Sequence, residues 1–272
     1  MSVVLVLTGS RRYSDPWHPF VDTSQLIAQQ VVEGGGIPEI RTDVDVALAE
    51  LDHRTEVGLV IVNAGDSWRN TETPDYGIEE LIAAGRRGLR RYALAGKPLY
   101  VFHAGASSLR DYPEFEEIIG LRWEPGTSMH PELSHFDVHL SAQSFTQTSA
   151  GDASRARMHG GHAHNAHVPG EITSAGHVLV DVVRDAAQGA DTFEVCDEQY
   201  SYLVRYGEFE VLASHEFEGL RHPVWTVRNY RLEHGSSGEC VYDALGHDER
   251  SFSSEPRCAM IRTSVAWLLR EH

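Results

Sequence analysis

Hydrophobic and polar positions switch between two periods along roughly the first 120 residues. Val3–Leu7 is an unbroken β-branched and aliphatic run, the pattern of a strand covered on both faces. A turn-rich stretch from Gly9 to Pro19 follows. Leu26, Ile27 and Val31 then share one face of a helix predicted from Asp22 or Thr23 to Glu33 and stopped by Gly34-Gly35-Gly36. The alternation repeats through a strand at Ile37–Arg41, a short helix at Asp45–Leu51, a strand at Val57–Asn63 and a long helix from Gly77 to Ala95. A strand at Leu99–His103 and a short helix at Tyr112–Ile119 complete it. Repeated strand–helix units predict a mostly parallel sheet with right-handed crossovers, and such sheets bind ligands beyond the carboxyl ends of their strands. Gly9–His18, Asn63–Trp68 and His103–Ser108 are therefore the segments expected to meet a ligand.

The pattern changes over residues 130–176. Phe136–Leu140 alternates as a strand does, whereas Ser141–Gly170 is rich in Ser, Thr, Gly and Ala and carries His159, His162, His164 and His167. This stretch is expected to be a loop-rich insertion in a single domain spanning 1–272. Short strands return at Phe193–Val195, Val211–Ala213, Val224–Val227 and Glu239–Ala244. A helix from Glu255 to Leu269 closes the chain, with Met260, Ile261, Val265 and Leu268 as its core face and Trp267 beside them.

Composition narrows the function classes. The 272 residues are 41% hydrophobic, enough for a real core, and 23 basic against 40 acidic residues leave a formal charge of −17. So acidic a surface repels phosphate backbones, which argues against nucleic-acid binding. The longest apolar runs are strand-sized, so no membrane span is expected. The opening Met-Ser-Val-Val-Leu-Val-Leu lacks a basic region and a small-residue cleavage site, which points to a cytoplasmic location. Cys196, Cys240 and Cys258 are odd in number and lack CxxC spacing; they are expected to be reduced rather than a disulfide framework or thiolate metal site.

Several polar groups fall at predicted strand ends. Phe102-His103-Ala104-Gly105 has the form of a nucleophile elbow, but with an imidazole where such turns carry Ser or Cys. His103 there suits a general base, hydrogen-bond donor or metal ligand, or is simply a satisfied polar residue. His247-Asp248 follows another strand, where Asp248 could orient His247 or act as a separate acid. Asp197-Glu198, before Gln199-Tyr200, could bind sugar hydroxyls, work in acid–base catalysis or hold a metal, or form a solvated acidic turn. Trp17-His18-Pro19-Phe20 suits sugar stacking, or a loop pinned by buried rings. Gly9-Ser10-Arg11-Arg12 lacks a phosphate-loop pattern. The four histidines from 159 to 167 can bind a transition metal, though nothing around them supplies the support of a preorganised site.

Taken in order, Trp17-His18-Pro19-Phe20, Leu59-Val60-Ile61-Val62-Asn63, Leu99-Tyr100-Val101-Phe102-His103-Ala104, Asp197-Glu198-Gln199-Tyr200, Pro223-Val224-Trp225 and Val241–Asp248 with Phe252 resemble the trehalose-utilisation (ThuA-like) family. The resemblance implies a three-layer, flavodoxin-like α/β sandwich of the class I glutamine-amidotransferase type. In amidotransferases the elbow holds the attacking Cys; here it holds His103, so thiolate attack on glutamine is unavailable. The late histidine of that scheme matches His247. The longer, His-rich Ser141–Gly170 and Trp68 after the Asn63 strand depart from the pattern.

The implied function is sugar processing, on a disaccharide or a 3-keto sugar. His103, His247, Asp248 and Glu198 are the expected catalytic set, and Trp17, His18, Asn63, Tyr200 and Trp225 the expected substrate contacts. The same groups could move protons next to a carbonyl or hold a divalent metal such as zinc, with the ligands unassigned. A non-catalytic carbohydrate-binding or accessory protein is the alternative. The expected partner is a small sugar rather than nucleic acid or membrane, with homo-oligomer formation left open.

Overall fold

The computed structural model describes residues 2–68, 79–141 and 174–270. The four histidines of the 159–167 cluster lie outside the described residues. The first half follows the strand–helix alternation: β1 (Val3–Thr8), α1 (Phe20–Glu33), β2 (Ile37–Arg41), α2 (Val44–Glu50), β3 (Val57–Asn63), α3 (Glu79–Leu94), β4 (Leu99–Phe102) and α4 (Pro113–Ile119). The second half is strand-rich: β5 (Leu121–Arg122), β6 (Ser134–Leu140), α5 (Ser174–Ala186), β7 (Thr192–Asp197), β8 (Val204–Arg205), β9 (Glu210–Phe217), β10 (Leu220–Tyr230), β11 (Gly238–Asp243) and α6 (Glu255–Leu268).

Nine strands form one sheet in the order β2-β1-β3-β4-β11-β10-β9-β6-β7, and β5 pairs with β8 apart from it. The expected mostly parallel sheet is only half realised. Strands β2, β1, β3, β4 and β11 run parallel, but β10, β9, β6 and β7 extend the sheet antiparallel. The physical reason is connection length, since parallel neighbours need long crossovers and antiparallel ones do not. β9 and β10 are joined by Glu218-Gly219, both at positive φ, the geometry of a two-residue hairpin turn. Glu-Gly is a weaker turn signal than Asn-Gly or Asp-Gly, so the hairpin was not legible. β6 lies inside the 130–176 stretch yet belongs to the sheet.

The parallel half is covered on both faces, as its continuous apolar runs require. Leu5, Leu7, Val60, Val62, Leu99 and Val101 face a core closed by Val44 and Leu48 of α2, Leu89 and Tyr92 of α3, and Phe115 and Ile118 of α4. Val4, Val6, Leu59, Ile61, Tyr100 and Phe102 face the other layer, closed by Ile27 and Val31 of α1, Leu179 and Val183 of α5, and Met260, Ile261, Val265 and Leu268 of α6. Helix α1 begins at Phe20, ahead of the Asp22 or Thr23 cap read from sequence, with Pro19 as the capping residue.

The β4 strand ends in a sharp turn. His103 opens a short 3-10 helix, His103–Ser107, at φ +40, a left-handed conformation that non-glycine residues adopt at a cost. Gly105 makes the turn fit. A Cβ there would stand 2.7 Å from Val101 Cγ1 and 3.0 Å from the Val62 carbonyl oxygen. Gly105→Ala is therefore expected to destabilise the protein by about 1–3 kcal/mol through overpacking, seen as a lower denaturant midpoint. An unchanged midpoint would show that the elbow can open to admit the methyl group.

Candidate functional site

The carboxyl end of the parallel half gathers groups from four separate segments. His18 arrives on the loop after β1, His103 on the β4 elbow, Glu198 just after β7 and His247 after β11. One donor atom from each lies within 4.8 Å of all the others. Glu198 Oε2 is 3.3 Å from His103 Nε2 and 3.4 Å from His247 Nδ1. The His18 ring lies 5.1 Å from that of His103 and 4.9 Å from that of His247, centroid to centroid. His103 is 1% exposed and the Glu198 side chain 11%.

Each group is aimed by bonds made elsewhere. His103 Nδ1 donates to the Ala244 carbonyl oxygen at 2.6 Å, which turns Nε2 toward the cluster. His18 Nδ1 lies 2.8 Å from both oxygens of Asp15, which leaves Nε2 as its inward lone pair. Asp15 also accepts the backbone N–H groups of Trp17 and His18. Tyr200 stacks on the His103 ring at 3.9 Å, backed by Trp123 at 4.5 Å. Beneath the β11 turn, buried Asp243 accepts from Tyr100 and the Leu245 N–H and pairs with Arg257 at 2.7 Å.

The inward nitrogens have no partner. His18 Nε2, His103 Nε2 and His247 Nδ1 are all buried without a hydrogen bond. Burial of such a group ordinarily costs free energy that native structures avoid. A lone pair of His103 and an oxygen of Glu198 facing at 3.3 Å repel unless a proton or cation lies between them. The two Glu198 contacts, at 3.3 and 3.4 Å, have the spacing of neighbouring ligands on a small cation, while the four donors together span up to 4.8 Å. Bonds of about 2.0–2.2 Å in a tetrahedral site put ligand atoms about 3.3–3.5 Å apart. Without a cation a proton fills that role: with N–H groups turned toward it, His103 and His247 hold Glu198 far below the usual carboxylate range against its own burial. Burial drives His18 down, helped by His103 and His247 and opposed by Asp15. His247 is drawn upward by Glu198 despite its own burial.

Of the nine residues read from sequence, the structure brings together His103, His247, Glu198 and His18, with Tyr200 as a wall. Asp248 stands apart. It caps the short 3-10 helix Glu249–Ser253, and Arg250 takes its carboxylate. Asn63 spends its amide on Thr23, Ser24 and the Phe20 carbonyl. Trp225 is 0% exposed and donates to Ser264 within the helix-side core, out of reach of a ligand at the strand ends. Trp17 is 66% exposed beside the site. Sequence reasoning missed Asp15, Trp123 and His130, whose Nδ1 lies 3.5 Å from Glu198 Oε1. Asp-Pro-Trp-His does carry an Asx-turn signal that could have found Asp15. His130 had no signal, being 68 positions from Glu198 and ahead of an isolated strand.

A fold and site of this kind define a strand-end α/β protein with an imidazole–carboxylate centre. The sequence matches the family described as trehalose utilisation (ThuA) over residues 42–268, and the chain belongs to that family. His18 lies ahead of the matched span; His103, Glu198 and His247 lie within it. A ThuA-like protein from Bacteroides uniformis is similar in structure at 13% identity and TM-score 0.58, covering 98% of this chain and 91% of its own. One from Parabacteroides merdae is similar at 12% identity and TM-score 0.56, covering 96% and 88%. The structure described as the mmIFT52 N-terminal domain is similar at 13% identity and TM-score 0.54, covering 99% and 98%. At these identities the likeness is one of fold. No curated protein matches the chain by sequence.

The segment carrying Tyr200 rests on a cross-strand histidine pair, His215 of β9 and His222 of β10, whose rings are 5.4 Å apart. His215 Nε2 donates to the Tyr200 carbonyl at 3.0 Å, and His222 Nδ1 accepts the Tyr202 N–H at 3.2 Å. Burial, with the facing His215 adding to it and Glu218 opposing, pushes His222 down to about 4. An unfolded histidine takes its proton near pH 6.5, whereas the native one refuses it until about pH 4. Stability from this site is complete above 6.5 and falls by about 3 kcal/mol as pH drops through that window. In His222→Asn, the loss of stability between pH 7 and 4.5 is expected to be about 2–3 kcal/mol smaller by urea denaturation. An equal loss in both proteins would remove His222 from the account.

Proposed function

We propose that this chain is a sugar-processing enzyme whose strand-end centre of His18, His103, His247 and Glu198 holds a divalent transition metal. One observation carries the reading: three buried imidazole nitrogens with no hydrogen-bond partner converge with a carboxylate oxygen. Imidazole and carboxylate donors suit zinc, iron or manganese, and no sulfur ligand is at hand. Membership of the trehalose-utilisation family supports a carbohydrate as the molecule acted on. The parallel strand order β2-β1-β3-β4-β11 supports the flavodoxin-like description of that half of the fold.

A metal bound here would polarise a carbonyl or hydroxyl oxygen and lower the pKa of bound water. The chain's own groups do the rest. Asp15 and the Ala244 carbonyl keep the imidazoles in the ligand tautomer. Half-buried Trp123 offers aromatic surface suited to the apolar face of a sugar ring, while Tyr200 is spent on the His103 ring. His130, partly open to solvent, donates its Nδ1–H to the Pro131 carbonyl at 2.8 Å and stands 3.5 Å from the outer oxygen of Glu198, lining the entrance to the centre. A 3-keto sugar fits such a centre because its ketone gives a metal a point of attachment and acidifies the adjacent C–H. Thiol chemistry is absent from the elbow: Cys240 is buried in β11, Cys258 in α6, and Cys196 lies in β7.

The test uses untagged full-length protein with His159, His162, His164 and His167 changed to Gln. Elemental mass spectrometry is expected to find about one divalent ion per chain. His103→Ala and His247→Ala should each lose it while retaining native circular dichroism. Chelation should abolish turnover of a keto-disaccharide, and re-addition should restore it. Absence of metal from the parent protein, or full occupancy in both variants, would sink the assignment. Metal and sugar bound together without turnover would favour a binding protein.

A further inference from the structure

Glu198 and His247 reach the centre from separate places in the sheet order, β7 at one edge and β11 in the middle. β6, the partner of β7, meets β9 at two residue pairs alone, His139 with Ser214 and Leu140 with Ala213. That pairing and the His215–His222 support hold the end of β7 and the residues after it against β9 and β10, but neither reaches His247. One buried side chain does join them. Asp197, the last residue of β7, is 0% exposed. Its Oδ1 accepts the N–H of Glu198 at 2.8 Å and that of His247 at 3.2 Å, and its Oδ2 accepts the N–H of Gly246 at 2.7 Å.

We propose that Asp197 is the positioning residue of the centre, a carboxylate clasp that sets the Glu198-to-His247 distance by gathering three backbone N–H groups from two chain segments. This role rests on the metal reading above. Gly246 is the other half of the clasp. Its φ of +121 turns the N–H toward Asp197, and that conformation is open to glycine and costly for other residues. Space is not the constraint there, because a Cβ would meet nothing closer than 3.6 Å. Gly246→Ala therefore perturbs the clasp through the backbone alone. Asp197→Asn keeps the size of the side chain but turns an amide donor toward at least one of the N–H donors.

The experiment measures zinc affinity by competition with a chromophoric chelator. It uses the full chain with His159, His162, His164 and His167 changed to Gln, and records the melting temperature of each protein in EDTA beside it. Asp197→Asn and Gly246→Ala are each expected to bind zinc about 10–100-fold more weakly than the parent. A purely structural role would lower the melting temperature in EDTA and leave zinc affinity unchanged. Affinities within threefold of the parent in both variants would overturn the clasp. Should Asp197→Asn fail to fold, Gly246→Ala decides alone. A parent protein that takes up no zinc would overturn the metal reading and the clasp together, whereas tight binding unaffected by either variant overturns the clasp only.

Discussion

The architecture turns on where two protons are held. His103 gives its Nδ1 proton to the Ala244 carbonyl, and His18 gives its own to Asp15. Both imidazoles thereby turn Nε2 into the cluster, that of His103 facing Glu198, in a place water barely reaches. Electron-rich atoms crowd together at a net cost unless something positive neutralises them. The strained φ of His103 and the close fit at Gly105 add to that cost, and the buried cores on both faces of the sheet offset it. The proposed cation is the species that would relieve this crowding of four groups from four segments.

The two halves of the sheet divide the work. The parallel half, buried on both faces, makes a rigid floor whose strand ends deliver His18, His103 and His247. The antiparallel half brings the only carboxylate of the cluster across to them, and the His215–His222 pair steadies the residues that follow it. Charge balance follows from this division. On the proposed metal reading, one anionic oxygen beside three imidazoles would strengthen the hold on a divalent ion and leave the loaded centre net positive.

Much of this was legible along the chain. The run Leu99–Phe102 ending in His103-Ala104-Gly105 announced an elbow, and the placement of His18, Glu198 and His247 after strands put them at the correct edge of the sheet. What failed was the fate of individual side chains. Asn63 and Trp225 sit in motif segments, yet their polar atoms are consumed by Thr23, Ser24 and Ser264 inside the protein. Asp248 precedes a helical turn and caps it, as aspartate in that position does. Asp197 and His130 act through partners about 50 and 70 positions away, respectively, and no local pattern encodes such distances. The antiparallel extension was hidden because its hairpin turn uses Glu-Gly; the alternation of Phe136–Leu140 did mark β6 as a strand, but not its partners in the sheet.

X-ray absorption at the edge of the bound metal bears most directly on the central claim, measured on the full chain with the 159–167 histidines replaced. The account predicts a shell of nitrogen and oxygen alone at about 2.0–2.2 Å, with the outer-shell scattering of about three imidazoles. A sulfur scatterer near about 2.3 Å, or a shell without imidazole, would contradict it.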